Sequence, residues 1–235
     1  RTGKSSILRN FMKRINGDSI YVSGEKLTII VFDWSLEEAR ADGDAIGFRT
    51  SLFYTRLLKV LYNDPRFNIM ELDALKVSEK DPRQKDFVNI LHFLKSKGFY
   101  PIFSVDEFTY IKDLIDKGTV NTGFLHTFRQ YALNGLASFV YAGTYELKDI
   151  IRNQKYGVNA QLSNLIEVQI NEIDDTSANS LIDAMKAKIE FSDEAKSHIR
   201  RLSGNIPYFI QIICKNCCYY AIAKHKKYIG LSELE

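Results

Sequence analysis

Apolar positions recur at two different spacings along the chain, and the two spacings alternate. Residues 4–15 place five apolar side chains at helical intervals among basic residues, which predicts an amphipathic helix. These side chains are Ile7, Leu8, Phe11, Met12 and Ile15. The runs 27–33, 100–108 and 136–144 are instead short, continuous and rich in β-branched or aromatic residues, which predicts buried strands.

Helical patterns follow these predicted strands or lead into them. They cover residues 49–62, 86–98 and 122–135, and the last two end at a glycine. The run 165–171 predicts a fourth, shorter strand. Strands that alternate with helices in this way predict a parallel sheet with helices on both faces, an α/β fold.

The pattern changes after about residue 174. Residues 175–188, 192–202 and 206–224 are three helical segments with no strand predicted between them, and the first two open on Asp or Ser, which favour helix N-caps. We therefore predict two domains, an α/β core over 1–173 and a small helical subdomain over 174–235.

Composition narrows the setting of the protein. No apolar run approaches the roughly 20 residues that span a bilayer, so we expect no membrane association. The formal charge of +3 is too small to indicate nucleic-acid binding by itself. Cys214, Cys217 and Cys218 form an odd, clustered set, which predicts buried packing in a reducing, cytoplasmic setting and no disulfide framework.

The first six residues read RTGKSS, which resembles the end of a phosphate-binding loop. In the pattern G-x-x-x-x-G-K-[ST], Gly3, Lys4 and Ser5 supply the last three fixed positions, and the first glycine would fall upstream of Arg1 with two residues between them. We therefore expect a strand and a glycine upstream of this chain. Backbone N–H groups and the positive end of a helix dipole favour phosphate there.

This loop predicts specific contacts with a nucleotide. We expect Lys4 to reach the β and γ phosphates and the Ser5 hydroxyl to bind Mg²⁺. Arg1, Thr2, Gly3 and Ser6 are expected to complete the nucleotide-binding loop.

Two adjacent acidic residues follow the second predicted strand. Asp106 and Glu107 lie at its carboxyl end, where ligands bind in open α/β sheets. Asp106 is placed to hold the Mg²⁺ shell, and Glu107 to orient and deprotonate an attacking water. A solvated loop start is the simpler interpretation of such a pair, but its position after a phosphate-binding loop favours nucleotide hydrolysis.

The third predicted strand ends in Ala-Gly-Thr. A polar side chain at Thr144 would lie beside the loops of the two motifs and could touch the γ phosphate or the attacking water. An ordinary strand-end residue explains Thr144 nearly as well.

Together RTGKSS, SVDEF, Thr144 and LSGNIPYF (202–209) resemble the AAA+-like P-loop ATPases, and within them the STAND class of signal-transduction ATPases. The resemblance implies a three-layer P-loop NTPase core with a C-terminal helical lid, and ATP and Mg²⁺ as cofactors. It also implies that the lid turn packs near the base and ribose, through Asn205, Pro207 and Tyr208.

The sequence departs from the STAND pattern at the end of the third strand. An arginine often stands there in STAND proteins, whereas this chain has Thr144. Arginine fingers act from the lid or in trans in related ATPases. Surface positions on helices are the simpler interpretation of the four candidates: Arg129, Arg152, Arg200 and Arg201.

The resemblance implies an ATP-hydrolysing switch in stress or phage-defence signalling. Nucleotide would control assembly into a homo-oligomer, with an effector elsewhere and a protein or nucleic-acid trigger. An alternative is a DNA-directed ATPase of the origin-initiator or transposition-helper type. A nucleotide-bound scaffold without turnover is a third possibility. The basic run 223–227 is typical of a solvated helix end, although it could touch phosphate backbones.

Overall fold

A computed structural model describes residues 3–36, 50–75, 84–118, 120, 123–152, 165–184 and 189–234. The contacts divide the chain into two compact units, one over Ser5–Ile166 and one that groups Glu167–Glu235 with Arg1–Lys4. The predicted domain functions on either side of residue 173 stay predictions. No helix in the described ranges is long and apolar enough to cross a membrane.

The first unit is built on a four-stranded sheet. Its strands are β1 (Ser19–Val22), β2 (Glu25–Ser35), β3 (Phe99–Asp106) and β4 (Ser138–Tyr141), and they lie side by side in this order. β2, β3 and β4 are parallel, as predicted. Its helices are α1 (Lys4–Ile15), α2 (Thr50–Tyr62), α3 (Ile69–Asp73), α4 (Gln84–Ser96), α5 (Ile111–Asp116), α6 (Gly123–Leu133) and α7 (Glu146–Arg152).

The expectation of a wholly parallel sheet is wrong, because β1 pairs with β2 as an antiparallel hairpin. The two residues of its turn, Ser23 and Gly24, have φ values of 52° and 85°. Two successive positive φ angles give the turn the twist that joins adjacent antiparallel strands. The sheet is therefore mixed.

An aromatic core fills one face of this sheet. Phe103 on β3 is fully buried, and its ring centroid lies 4.6 Å from that of Trp34 and 5.3 Å from those of Phe32 and Phe139. Phe87 of α4 closes the cluster from the helical side at 5.6 Å. Phe32 and Trp34 thus pack within the core.

Helix α1 packs on the other face of the sheet. Leu8 and Met12 are buried there against Leu27 and Ile29, which alternate along β2 with the residues of the aromatic core. The predicted apolar stripe is wider than this contact, because Ile7 and Phe11 remain exposed. Within the described ranges, α1 is the helix that contributes to this second cluster. The three-layer P-loop arrangement stays a prediction.

The predicted strand over 165–171 is wrong. Residues 165–174 have no regular structure, and the side chains of Ile166 and Val168 are 91% and 79% exposed. The alternating apolar pattern suits a strand, but a strand needs a hydrogen-bonded neighbour. No strand in the described ranges pairs with this segment.

Among its described residues, the second unit contains three α-helices around a small core. They are α8 (Asp175–Ala184), α9 (Asp193–Ser203) and α10 (Pro207–Ala223). The Ser192 hydroxyl caps α9 by accepting a hydrogen bond from the N–H of Ala195 at 3.1 Å, as the sequence indicated. The expectation of an all-helical subdomain is wrong, because β5 (Glu190–Phe191) and β6 (Tyr228–Ile229) form a short parallel pair that two-residue runs do not reveal in sequence.

The three cysteines lie in the core of this second unit, as predicted. Cys214, Cys217 and Cys218 are buried on α10 and are free thiols. Burial and the neighbouring sulfurs raise the pKa of Cys214 to about 12, so its thiolate is suppressed at neutral pH. We therefore assign them to packing.

We predict that Phe103→Ala lowers the free energy of unfolding by about 3–5 kcal/mol, because it empties the centre of the aromatic core. Phe11→Ala is the matched control, since its ring is 49% exposed, and it should cost less than about 1 kcal/mol. Urea unfolding followed by tryptophan fluorescence measures both. Equal losses would contradict this assignment of the core.

Candidate functional site

The carboxyl ends of β2 and β3 meet at one edge of the sheet. Their parallel register places Ser35 of β2 opposite Asp106 of β3. Ser104 lies on the same face of β3 as Asp106, two residues earlier, and is buried. A polar edge therefore follows directly after the apolar parts of both strands.

Helix α1 packs on the face of the sheet that carries Ser104 and Asp106. Gly3 has a φ of 81°, a left-handed conformation that glycine adopts without strain, and α1 starts at the next residue, Lys4. Lys4 and Ser5 are half-buried, Ser6 is exposed, and the first turn carries no acidic residue. The start of the helix therefore combines free N–H groups with positive charge. Arg1 and Thr2 lie outside the described residues.

A small pocket joins α1 to the polar edge. Its volume is about 60 Å³, and it is lined by Leu8 and Arg9 of α1 and by residues at the ends of β2 and β3. Ser5 lies one helical turn before Arg9, on the same side of α1. The strand residues in the lining are Asp33, Trp34, Ser35, Ser104 and Asp106.

The turn after β3 holds both predicted acidic residues in a defined conformation. One oxygen of Asp106, Oδ1, accepts a hydrogen bond from the backbone N–H of Glu107 at 2.9 Å. Glu107 has a φ of 53°, a left-handed conformation that costs a non-glycine residue roughly 1–3 kcal/mol. Such strain concentrates at functional sites, and it persists only where surrounding contacts impose it.

Those contacts come from the segment after β4. The N–H of Ala142 donates to the carbonyl of Val105 at 2.9 Å, and the N–H of Phe108 donates to the carbonyl of Ala142 at 2.7 Å. These two bonds flank Asp106 and Glu107 on either side. The backbone of the acidic turn is therefore fixed by the neighbouring strand end.

Gly143 allows the two turns to approach each other. A Cβ atom at this position would lie 3.0 Å from Cγ2 of Thr109 and 3.3 Å from Cβ of Leu147. Thr144 follows, three residues beyond the end of β4, in the exposed turn that leads into α7. The expectation that Thr144 belongs to the strand end is therefore wrong, and its contact with a phosphate stays a prediction.

Sequence reasoning missed two residues of the pocket, Arg9 and Asp33. In the sequence pattern, Arg9 is one of the basic residues of an amphipathic helix, and Asp33 is the end of an apolar run. The alternation of β2 contained the signal, because Phe32 and Trp34 face the core and leave Asp33 on the α1 face. No cluster of three or more metal-binding side chains occurs among the described residues.

The predicted lid turn lies in the second unit, between α9 and α10. Asn205, with a φ of 55°, donates a hydrogen bond from Nδ2 to Oδ1 of Asp175 at 2.7 Å, and Arg200 forms an ion pair with the same carboxylate. Pro207 opens α10, where its missing N–H is not needed. Asp175 thus ties this turn to the start of α8.

The four candidate arginines occupy different settings. Arg200 is engaged with Asp175, and Nη2 of Arg201 lies 3.0 Å from Nδ1 of His198. Arg129 is half-buried on α6, and the side chain of Arg152 lies outside the described residues. The ion pair gives Arg200 a structural role within the second unit.

Comparison with known proteins identifies a similar fold. Neither a protein-family model nor a curated protein sequence matches the chain. Among solved structures, the chain is similar to the ORC2 protein of Aeropyrum pernix, determined in ADPNP-ADP complexes, with a TM-score of 0.57 and 12% sequence identity. The match covers 99% of this chain and 57% of the ORC2 chain, and at this identity it shows the fold alone.

We predict that Gly143→Ala destabilises the protein by about 1–3 kcal/mol, because its Cβ overpacks the contact with Thr109. Thr109→Ser removes the Cγ2 atom that the new Cβ would meet, so the double variant should recover part of the loss. Thermal unfolding of the two single variants and the double variant gives the coupling. Purely additive losses would refute the proposed contact.

Proposed function

We propose that this chain is an AAA+-like module that binds and hydrolyses ATP. The observation that carries the proposal is the strained Asp106–Glu107 turn at the carboxyl edge of the sheet, next to a pocket that Asp106 lines together with Leu8 and Arg9 of α1. The phosphate-binding sequence at the start of that helix supplies the second half of such a site. The similarity in fold to ORC2, a protein determined in ADPNP-ADP complexes, also supports it.

The residues present fit Mg²⁺. Asp106 is half-buried with Oδ1 oriented by the Glu107 N–H, which leaves Oδ2 for a cation or its water shell, and Ser5 adds a hydroxyl oxygen. Magnesium binds through one or two such oxygen ligands together with phosphate oxygens. When bound, it neutralises negative charge on the phosphates.

Each remaining residue has a separate role in this proposal. Gly3 and the first N–H groups of α1 receive phosphate oxygens, and Lys4 places its ammonium group on the β and γ phosphates. Glu107 orients the attacking water and accepts its proton. Arg1, Thr2 and Ser6 extend the phosphate-binding loop, Thr144 senses the γ phosphate, and Asn205 and Pro207 contact the base and ribose.

The similarity to ORC2 favours a DNA-directed ATPase over a STAND-type signalling switch. Both proposals share one physical principle, because contacts made only with the triphosphate shift the population of an assembly-competent form. They differ in the trigger, which is DNA in the first and a stress or phage signal in the second. A homo-oligomer is the proposed active state in both.

We predict that Lys4→Ala weakens binding of a fluorescent ATP analogue by about 10- to 100-fold in the full-length protein, since a charged hydrogen bond contributes about 1.5–3 kcal/mol. Lys13→Ala, in the exposed last turn of the same helix, is the matched control and should bind like wild type. Equal binding by wild type and Lys4→Ala would contradict the proposed site.

We predict that Glu107→Gln keeps ATP binding and lowers the hydrolysis rate by about 10²- to 10⁴-fold, the usual contribution of a general base. Phosphate release with and without duplex DNA, and oligomer mass in the same samples, distinguish the two triggers. DNA-stimulated turnover supports the DNA-directed proposal. ATP-driven assembly that ignores DNA supports the signalling switch, and unimpaired turnover in Glu107→Gln refutes the role of this residue.

A further inference from the structure

The end of α10 concentrates positive charge that the proposed ATP site does not use. The segment 195–232 holds seven of the chain's 32 Lys and Arg residues and none of its 29 Asp and Glu residues. Since the formal net charge of the chain is only +3, the remaining residues together are net acidic. This segment is therefore a basic stretch without an acidic residue; another is residues 1–17, which hold five Lys and Arg residues.

Ion pairs neutralise part of this charge, and the remaining lysines lie on α10 and the turn after it. Within the second unit, Lys196 pairs with Asp183, and Lys226 pairs with Glu233 at 2.6 Å. Arg200 is likewise paired with Asp175. Three lysines of the segment have no acidic partner among the described residues, and all are exposed: Lys215, Lys224 and Lys227.

Exposed aromatic rings lie among these lysines. Tyr219 is 60% exposed, and Nζ of Lys215 lies 5.6 Å from its ring centroid, one helical turn away. Tyr220 is neighbour to Lys224 at the same spacing, and Nζ of Lys226 lies 5.7 Å from its ring. These two Lys–Tyr pairs, Lys215 with Tyr219 and Lys224 with Tyr220, lie next to each other towards the end of α10. We call Lys215, Tyr219, Tyr220, Lys224 and Lys227 the basic–aromatic patch.

We propose that the basic–aromatic patch binds single-stranded nucleic acid. Lysine ammonium groups neutralise backbone phosphates, and exposed tyrosine rings offer stacking surfaces to unpaired bases. The same combination of basic and aromatic side chains is what sequence-tolerant binding of single strands requires. The patch lies on a regular helix and the turn that follows it, so its side chains are presented from a fixed backbone.

Charge selects this partner over a protein or a membrane. A protein partner would need an apolar centre with few charges. Phe209 and Ile212 are exposed on α10 at 47% and 38%, but Lys215 and Lys224 lie next to the exposed tyrosines.

An interfacial membrane helix needs one continuous apolar face. The buried face of α10, with Ile210, Cys214 and Ala221, is occupied by the core of the second unit. On its exposed face, Lys215 and Asn216 lie between the apolar side chains of Ile212 and Tyr219. A single-stranded nucleic acid offers phosphates to the lysines and unpaired bases to the tyrosines.

This inference deepens the DNA-directed form of the proposed function, although it does not depend on ATP hydrolysis. The test measures binding of fluorescent oligo-dT of about 16 nucleotides to the full-length protein by anisotropy at several salt concentrations. We expect Lys224→Glu with Lys227→Glu to weaken binding at least 10-fold. The slope of log K against log salt should fall by about 1.4, for two lost phosphate contacts on a single strand.

The tyrosines are tested separately from the charges. Tyr219→Ala with Tyr220→Ala should weaken binding at least fivefold with an unchanged salt slope, because stacking is lost while phosphate contacts remain. Lys13→Glu with Lys26→Glu reverses two exposed lysines of the first unit and should bind nearly like wild type. Circular dichroism and ATP turnover without DNA should be unchanged in the patch variants, which shows that they fold.

Two outcomes would overturn the assignment of the basic–aromatic patch, and a third separates it from the proposed ATPase. Binding that survives both patch variants but is lost in Lys13→Glu with Lys26→Glu would move the nucleic-acid surface to the first unit, with the DNA-directed function intact. Binding to vesicles of phosphatidylcholine and phosphatidylserine, without binding to oligo-dT, would replace nucleic acid with membrane. If wild type shows patch-dependent DNA binding but no ATP turnover, the inference stands and the proposed ATPase fails.

Discussion

The parallel pairing of β3 with β2 and β4 constrains the position of the whole candidate site. Because the three strands run in one direction, their carboxyl ends meet at one edge, and every polar group that follows them is brought together there. The aromatic core around Phe103 holds this pairing from one face, and Leu8 and Met12 of α1 hold it from the other. Leu8 also lines the pocket at the polar edge, together with Arg9 of the same helix.

Strain in the acidic turn follows from this arrangement. Glu107 adopts a left-handed conformation because Phe108, immediately after it, is hydrogen-bonded to Ala142, while Val105, two residues before it, is also hydrogen-bonded to Ala142. The close approach of the β4 turn, which Gly143 permits, makes these bonds possible. The pairing of two strands thus determines the direction in which the two carboxylates leave the sheet, which sequence spacing alone does not specify.

Much of this architecture could be predicted from residue patterns. The β-branched and aromatic runs identified β2, β3 and β4, and glycine marked the end of α4, because those signals act within a few residues. The β1 hairpin, the unpaired segment after residue 165 and the β5–β6 pair could not be predicted in this way, since each depends on which backbone finds a distant partner. The ion pair of Arg200 with Asp175 could not be predicted either, because it joins α9 to α8 through two residues that are far apart in the sequence.

Hydrogen–deuterium exchange of the full-length protein, with and without Mg-ADPNP, tests the central claim most directly. The account predicts slower exchange in residues 3–9 and 104–109, where the start of α1 and the acidic turn would close around the phosphates. The shallow surface formed by Lys59, Asn63 and Arg66 should be unaffected. Protection confined to that surface, or no protection at residues 3–9 and 104–109 under saturating nucleotide, would contradict the account.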